Sequence, residues 1–414
     1  MSLRNIFLIL SLAAFSGCGG TMISRSQAPF NRYPLQGFVL EWQTLEPGLA
    51  GDEFHVMVRP GETADIITFR EKGGMGRRSE KIGQAEEIFT NYSIFPTSDG
   101  FLFMQGNGTY REIHGKWLDY SLRSTESEDV FPNSPYWSRE SGPDRIWSNL
   151  LFVRKGPNSS ERRAFVELEK TPLDPPTSPP KIVREIPIPD GAQLFEHQGG
   201  LLCKADPLDG AEGAFRFFDR TMQEKENRLA SGLNALAKAG KLGEEQWSSP
   251  WEPWVLLRME KPKPPKGDPE ARHSGLYFAA FADTILGHEV LCEGRPLFDS
   301  EEDLDKDNLV VSPSHNLFVV LAPHGEDSLH FYLGAVRRRE KGWVAEAYRV
   351  RTFEKIHNCS PKFSRDGNSV VFMASDASSQ PEVVHVYVSD LIADVNRRYP
   401  EAKLDLEALK AEVK

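Results

Sequence analysis

Four cysteines, ten histidines and one acidic run are the residues of this chain that could do covalent or metal chemistry. Cys18 stands apart because it follows the apolar run Ile6 to Phe15, itself preceded by a lone Arg4. A run that short cannot cross the ~30 Å of bilayer hydrocarbon, which takes about 20 helical residues, so it reads as a removable signal segment. The thiol at its end, flanked by Gly17, Gly19 and Gly20, is open to modification at a membrane surface. Cys203, Cys292 and Cys359 show no CxxC spacing and allow at most one disulfide among them. Cys203 and Cys292 follow Leu201-Leu202 and Val290-Leu291, as buried core thiols do.

Asp303, Asp305 and Asp307 alternate as oxygen ligands do in calcium loops and are the chain's metal candidates. Asn308 stands where an EF-hand needs glycine and Ser314 where it needs the bidentate glutamate, so that motif fails and a solvated acidic loop is expected. His315, His324 and His330 match no metal spacing and are expected as solvated or hydrogen-bonded loop histidines. Trp247, Trp251 and Trp254, interrupted by proline, fit either a sugar- or peptide-binding platform or the packing of a seam between sheets. GxSxG, HExxH, Walker and GxGxxG motifs are all missing from the sequence, so no cofactor and a non-enzymatic role are expected.

The elements that must position these residues are mostly strands. With 414 residues, 39% hydrophobic and 26% charged, the chain is neither collagen, coiled coil nor wholly disordered. Its net charge of -11 argues against nucleic acid or anionic lipid as a general partner, because phosphate contacts need a basic surface. From Phe38 onward, short runs such as Phe54 to Val58, Ile66 to Phe69, Leu150 to Val153 and Arg163 to Leu168 are bounded by turn-forming residues.

One segment carries a repeat. Cys359 to Asp376 contains Pro361, Phe363, Ser364, Asp366 and Gly367, then the apolar stretch Val370 to Met373. Asp366-Gly367 is expected to supply the positive-φ residues of a tight hairpin ahead of a buried strand. This segment resembles the repeat of TolB-like (WD40-like, PD40) β-propellers, with Arg365 in place of the usual second proline. Partial copies occur at Phe95 to Met104, Ile188 to Phe195 and Val311 to Val320, where His-Asn replaces Asp-Gly. Gly100 to Gly191 spans 91 residues and Asn316 to Gly367 spans 51, near multiples of the ~45 residues of a blade. The expected fold is all-β: a propeller of six to seven four-stranded blades over 37–390, with a β-sandwich plus an accessory domain as the alternative. The strand near Phe38 is the candidate to pair with the C-terminal blade.

Residues 123–146 and 171–189, rich in Ser, Pro and charge, are expected as loops. Residues 221–242 set Leu229, Leu233 and Leu236 on one face of a helix on the propeller rim, expected to pack on its own blade. A helical tail of one or two short helices is expected over 391–414, divided at Pro400.

Phe15-Ser16-Gly17-Cys18 resembles the lipobox of bacterial lipoproteins, with Phe15 in place of the preferred leucine. The resemblance implies a signal peptide over 1–17, acylation of Cys18 and a lipidated tether over 18–36. It also implies a cell-envelope location, at the outer membrane because Gly19 is not the aspartate of inner-membrane retention. The TolB-like resemblance implies a scaffold for an envelope protein or a glycan, without implying TolB's own role. The alternative is an envelope hydrolase or lyase whose carboxylates converge at the central channel. With roughly 25 residues after the last recognisable blade, a serine-peptidase reading with an α/β-hydrolase domain is not expected.

Overall fold

A computed structural model describes the strands from Arg25 to Tyr387, two helices and the segment through Lys410. Side-chain surroundings are described chiefly in 29–33, 52–56, 202–204, 215–219, 223–238, 254–257, 308–322, 328–339, 342–353, 360–364, 366–374 and 382–410.

Apart from Leu291–Cys292, which pairs parallel with Gly342–Glu354, most of the strands sort, in chain order, into antiparallel meanders. Five are separate four-stranded sheets, running from Leu45–Pro47 to Arg78–Gln84, Tyr92–Pro96 to Trp117–Ser121, Val130–Trp137 to Lys181–Ile188, Gln193–His197 to Glu224–Lys225, and Gln246–Ser248 to His288–Glu289. An eleven-stranded sheet holds two more: Leu309–Val311 to Gly342–Glu354, and Lys362–Phe363, Ser369–Ser375 and Pro381–Tyr387. They meet at one residue pair, Glu354 opposite Ser375.

The first strands of successive sheets neighbour one another: Gln246–Ser248 touches Gln193–His197 and Leu309–Val311, and Leu309–Val311 touches Lys362–Phe363. Lys362–Phe363 then touches Leu45–Pro47, so the last sheet returns to the first of the separate sheets. The chain is a β-propeller, the expected fold.

The ring is fastened by the N-terminal segment. Phe30–Pro34 pairs antiparallel with Pro381–Tyr387 in the register Arg32 opposite Val384, and Arg25–Gln27 adds outside it. Sequence reasoning placed this pairing at Phe38, which lies outside the described residues, and assigned 25–34 to the tether. Both faces of this short strand are buried: Phe30 meets Phe331, Phe353 and Phe372 with ring centroids 5.3, 5.1 and 6.3 Å away, and Tyr33 meets Phe54 at 5.3 Å.

Apolar layers between sheets make the core. Phe30, Leu317, Phe331, Val350, Phe372 and Val384 fill one layer, and Trp254, Leu276, Phe318, Val320 and Val336 fill the next. A third joins Leu202, Phe215, Phe217, Val255 and Leu257 to the helix Arg228–Lys238 through Leu229, Leu233 and Leu236. That helix starts later than 221 because Glu224–Lys225 is still strand, pairing with Phe218 and Phe217. Asn227 caps it, its side-chain oxygen accepting the N–H groups of Leu229 and Ala230 at 2.9 and 3.1 Å.

Three other expectations change. Residues 123–146 and 171–189 contain the strands Val130–Trp137 and Lys181–Ile188, the two edges of one sheet. An edge tolerates Pro132, Pro135 and Pro187, and the register shifts between Phe131 and Tyr136. The 188–195 copy of the repeat joins two sheets, since Ile188 pairs with Arg163 while Gln193 pairs with Lys204. The tail begins helical at Val388, ends that helix at Arg398, and continues as turns to a β-bridge between Lys410 and His315. Of the one or two helices expected, one is formed among the described residues; past Pro400, Asn396 clamps the turn, accepting the Leu404 N–H at 2.7 Å and donating to its carbonyl at 2.8 Å.

Candidate functional site

The repeat residues Ser364, Asp366 and Gly367 build one turn. Ser364 and Ser369 close it through the Ser369 carbonyl and Ser364 N–H at 2.9 Å, and the Gly367 N–H donates to the Ser364 carbonyl at 2.8 Å. The Asp366 carboxylate accepts from the Ser364 hydroxyl at 2.6 Å, the Asn368 N–H at 3.0 Å and the Asn368 side-chain amide at 2.9 Å. Gly367 takes φ +69°, whereas Asp366 does not enter positive φ: its contribution is the carboxylate brace. Pro361 and Phe363 are buried on the approach to the turn, and the Val370 to Met373 stretch is buried as expected.

The neighbouring meander repeats the construction. Ser312 takes the place of Ser364, its N–H donating to the Leu317 carbonyl at 2.9 Å. Its hydroxyl accepts the His315 N–H at 3.2 Å. The match therefore sets Ser314-His315 against Asp366-Gly367, one residue earlier than the His-Asn reading.

The two turns interlock. The Ser314 hydroxyl lies 2.6 Å from the Asp366 carbonyl oxygen and 2.8 Å from His315 Nδ1. A carbonyl oxygen only accepts, so the serine proton goes to Asp366 and His315 Nδ1–H donates to Ser314 Oγ. The pair therefore runs opposite to a nucleophile with its general base, where serine donates to histidine. His315 Nε2 is left as a buried acceptor with no hydrogen-bond partner. Burial, then Lys410, holds the His315 pKa below its usual value, with Asp366, Glu407 and a backbone hydrogen bond to Gly367 opposing.

Asn316 ties this turn to three elements. Its side-chain oxygen accepts the Trp254 indole N–H at 2.8 Å, its N–H donates to the Leu409 carbonyl at 2.6 Å, and its carbonyl accepts the Val336 N–H at 2.9 Å. Trp254 is wholly buried and is a seam residue; it does not belong to an exposed stacking platform. Trp247 lies in the strand Gln246–Ser248, with its side chain outside the described residues, as is Trp251. His330 is a strand residue, its Nδ1 2.8 Å from the Thr352 hydroxyl across the sheet. Cys18, Asp303, Asp305, Asp307, His324 and Cys359 lie outside the described residues.

Cys203 is a buried free thiol whose pKa burial pushes up to about 11, against the opposing charge of Arg216. Such a thiol is a poor nucleophile at neutral pH. Among the described residues no group of His, Cys, Asp and Glu is arranged to hold a metal ion, and no helix is long and apolar enough to cross a membrane.

No family model matches the sequence and no curated protein matches it. Solved structures of similar chain path include an oligogalacturonate lyase in complex with manganese, at 9% identity over 89% of this chain and 96% of that one, with a TM-score of 0.47. The Nup133 β-propeller domain of Vanderwaltozyma polyspora gives 10% identity, 88% and 100% coverage and a TM-score of 0.46. BamB from Moraxella catarrhalis gives 11%, 88% and 100%, and 0.36. The fold assignment rests on the strand pairing itself.

Proposed function

We propose that this chain is a lipid-anchored protein of the bacterial cell envelope whose propeller binds another envelope protein or a glycan without catalysing a reaction on it. The observation that carries the reading is the spacing at the N-terminus. The lipobox-like Phe15-Ser16-Gly17-Cys18 ends seven positions before Arg25, where the ring-fastening strands begin. An acylated Cys18 on so short a lead holds the propeller against the bilayer. The Ser314–His315 contact favours a scaffold, because its serine proton is committed to a carbonyl.

The test compares wild type with Cys18→Ser in the native envelope. Wild type is expected to carry acyl label, stay in the membrane fraction and yield reproducible crosslinked partners by mass spectrometry. The variant is expected to lose the label, the retention and those partners. An unlabelled wild type, or a variant that stays membrane-bound with its label, refutes the anchor. An anchored protein that turns over a glycan in a substrate screen refutes the non-enzymatic part.

A further inference from the structure

Past the helix Val388–Arg398 the tail is held in two different ways. As far as Leu404 it is fixed to its surroundings by side chains: the Tyr399 hydroxyl donates to the Arg349 carbonyl at 3.0 Å, Arg337 donates to the Ala402 carbonyl, and Asn396 brackets Leu404. Residues 405–410 are closed mostly on themselves. The Leu409 N–H donates to the Asp405 carbonyl at 3.1 Å, the Glu407 N–H to the Asp405 carboxylate at 2.9 Å, and Lys410 pairs with Glu407 at 2.6 Å. Among the described residues this part meets the propeller through buried Leu409, half-buried Leu406 and two backbone contacts, the Asn316 N–H to the Leu409 carbonyl at 2.6 Å and the β-bridge of Lys410 with His315.

Under these contacts lies a histidine with room for one charge state. His315 is 2% exposed, its Nδ1–H is committed to Ser314 Oγ, and its Nε2 has no hydrogen-bond partner. A proton on Nε2 would turn an unpaired buried acceptor into an unpaired N–H on a buried cation, which costs far more. The charged groups that act on the ring come from both elements packed against it: Asp366 from the 364–368 turn, and Glu407 and Lys410 from the tail. Burial and then Lys410 outweigh the two carboxylates, so the seated tail keeps the ring neutral.

Lifting 405–410 off the turn reverses that balance. The ring gains water, and Lys410 and Glu407 leave together. His315 then takes up a proton near the ordinary histidine value of ~6.5. Since the lifted state binds a proton that the seated state excludes, acid favours lifting.

We propose that 405–410 is an acid-released strap: protonation of His315 lifts it from the 312–316 turn while the tail up to Leu404 stays seated, uncovering the interlocked turns at that end of the last two meanders. The device depends neither on the anchor nor on what the propeller binds.

The test is hydrogen–deuterium exchange of the full chain read by mass spectrometry at pH 7.5 and 5.5, each rate being divided by the intrinsic rate at that pH. Between these values one histidine of ordinary pKa that titrates only in the lifted state moves the equilibrium by at most about tenfold. Protection of 312–316 and 405–410 is expected to fall several-fold within that ceiling, and protection of the strand Ser328–Arg339 by less than about twofold. His315→Gln, which takes no proton in this range, should abolish the response. Lys410→Met should shrink it, because the seated ring then faces Asp366 and Glu407 without the opposing cation. A fall under about twofold at 312–316 and 405–410, an equal fall at 328–339, or a wild-type response in His315→Gln overturns the proposal. Should His315→Gln lose protection at both pH values, Lys410→Met decides: a response as large as that of wild type overturns the strap, and a smaller one supports it.

Discussion

Gly367→Ala is the sharpest perturbation of the interlocked turns. Gly367 sits at φ +69°, and a Cβ there would stand 2.0 Å from Ser314 Oγ and 2.9 Å from Ser312 Oγ. The left-handed backbone alone costs an alanine about 1–2 kcal/mol. The clash costs more, because Ser314 must leave its 2.6 Å bond to the Asp366 carbonyl and strand the His315 Nδ1–H, a buried loss of about 1–3 kcal/mol. We expect a total near 3 kcal/mol, read from urea unfolding followed by tryptophan fluorescence. Gly342→Ala shows backbone strain without a clash: no atom lies within 4 Å of its Cβ, while φ +118° is beyond the left-handed α well and costs about 1–3 kcal/mol by itself. Ser314→Ala should cost about 1–2 kcal/mol alone, and the double variant with Gly367→Ala less than the sum, since the obstructing oxygen is gone. The reasoning fails if Gly367→Ala costs no more than the about 1–2 kcal/mol of the left-handed backbone alone, or if its cost simply adds to that of Ser314→Ala.

Other outcomes follow from the same contacts. Because the folded His315 pKa is lowered, its neutral form contributes stability that is fully present above the unfolded pKa near 6.5 and lost as pH falls towards the folded value. Urea midpoints from pH 7.5 down to 5 should therefore fall less steeply in His315→Gln than in wild type, with Lys410, Glu407 and Asp366 retained as the surrounding charges. Phe30→Ala should cost about 3–5 kcal/mol by emptying the aromatic layer that fastens the ring, measured by urea unfolding. Trp254→Phe should cost about 1–3 kcal/mol through the buried Asn316 oxygen that it leaves without its indole donor, again by urea unfolding. Cys203 should resist iodoacetamide at pH 7.5 in the folded protein and react on unfolding in urea; mass spectrometry of the labelled peptide reads both.

What the sequence made legible was local. The Ser364 to Ser369 turn and the strand after it can be read from types and spacing, because the hydrogen bonds that shape the turn lie within six residues. The helix Arg228–Lys238 was legible through its leucine spacing, and only its start was obscured by a two-residue strand. The fastening strand was not: Phe30-Asn31-Arg32-Tyr33-Pro34 shows no alternation because both of its faces are buried. The Ser314–Asp366 clasp joins residues 52 apart, and composition around each one signals nothing. The buried role of Trp254 depended on Asn316, 62 residues away.

The pairing of Arg32 with Val384 also dictates the order in which the molecule can be completed. Phe30–Pro34 is made about 350 residues before its partner Pro381–Tyr387, so this pairing waits while the sheets between them are made. Closing a loop of roughly 350 residues costs about 5 kcal/mol of chain entropy when nothing between is folded, and much less once the intervening sheets stack. The fastening strand is therefore expected to join last, onto a nearly finished ring. Until then the Pro381–Tyr387 strand offers an open edge, the sort of template on which a second unfinished copy can pair by mistake.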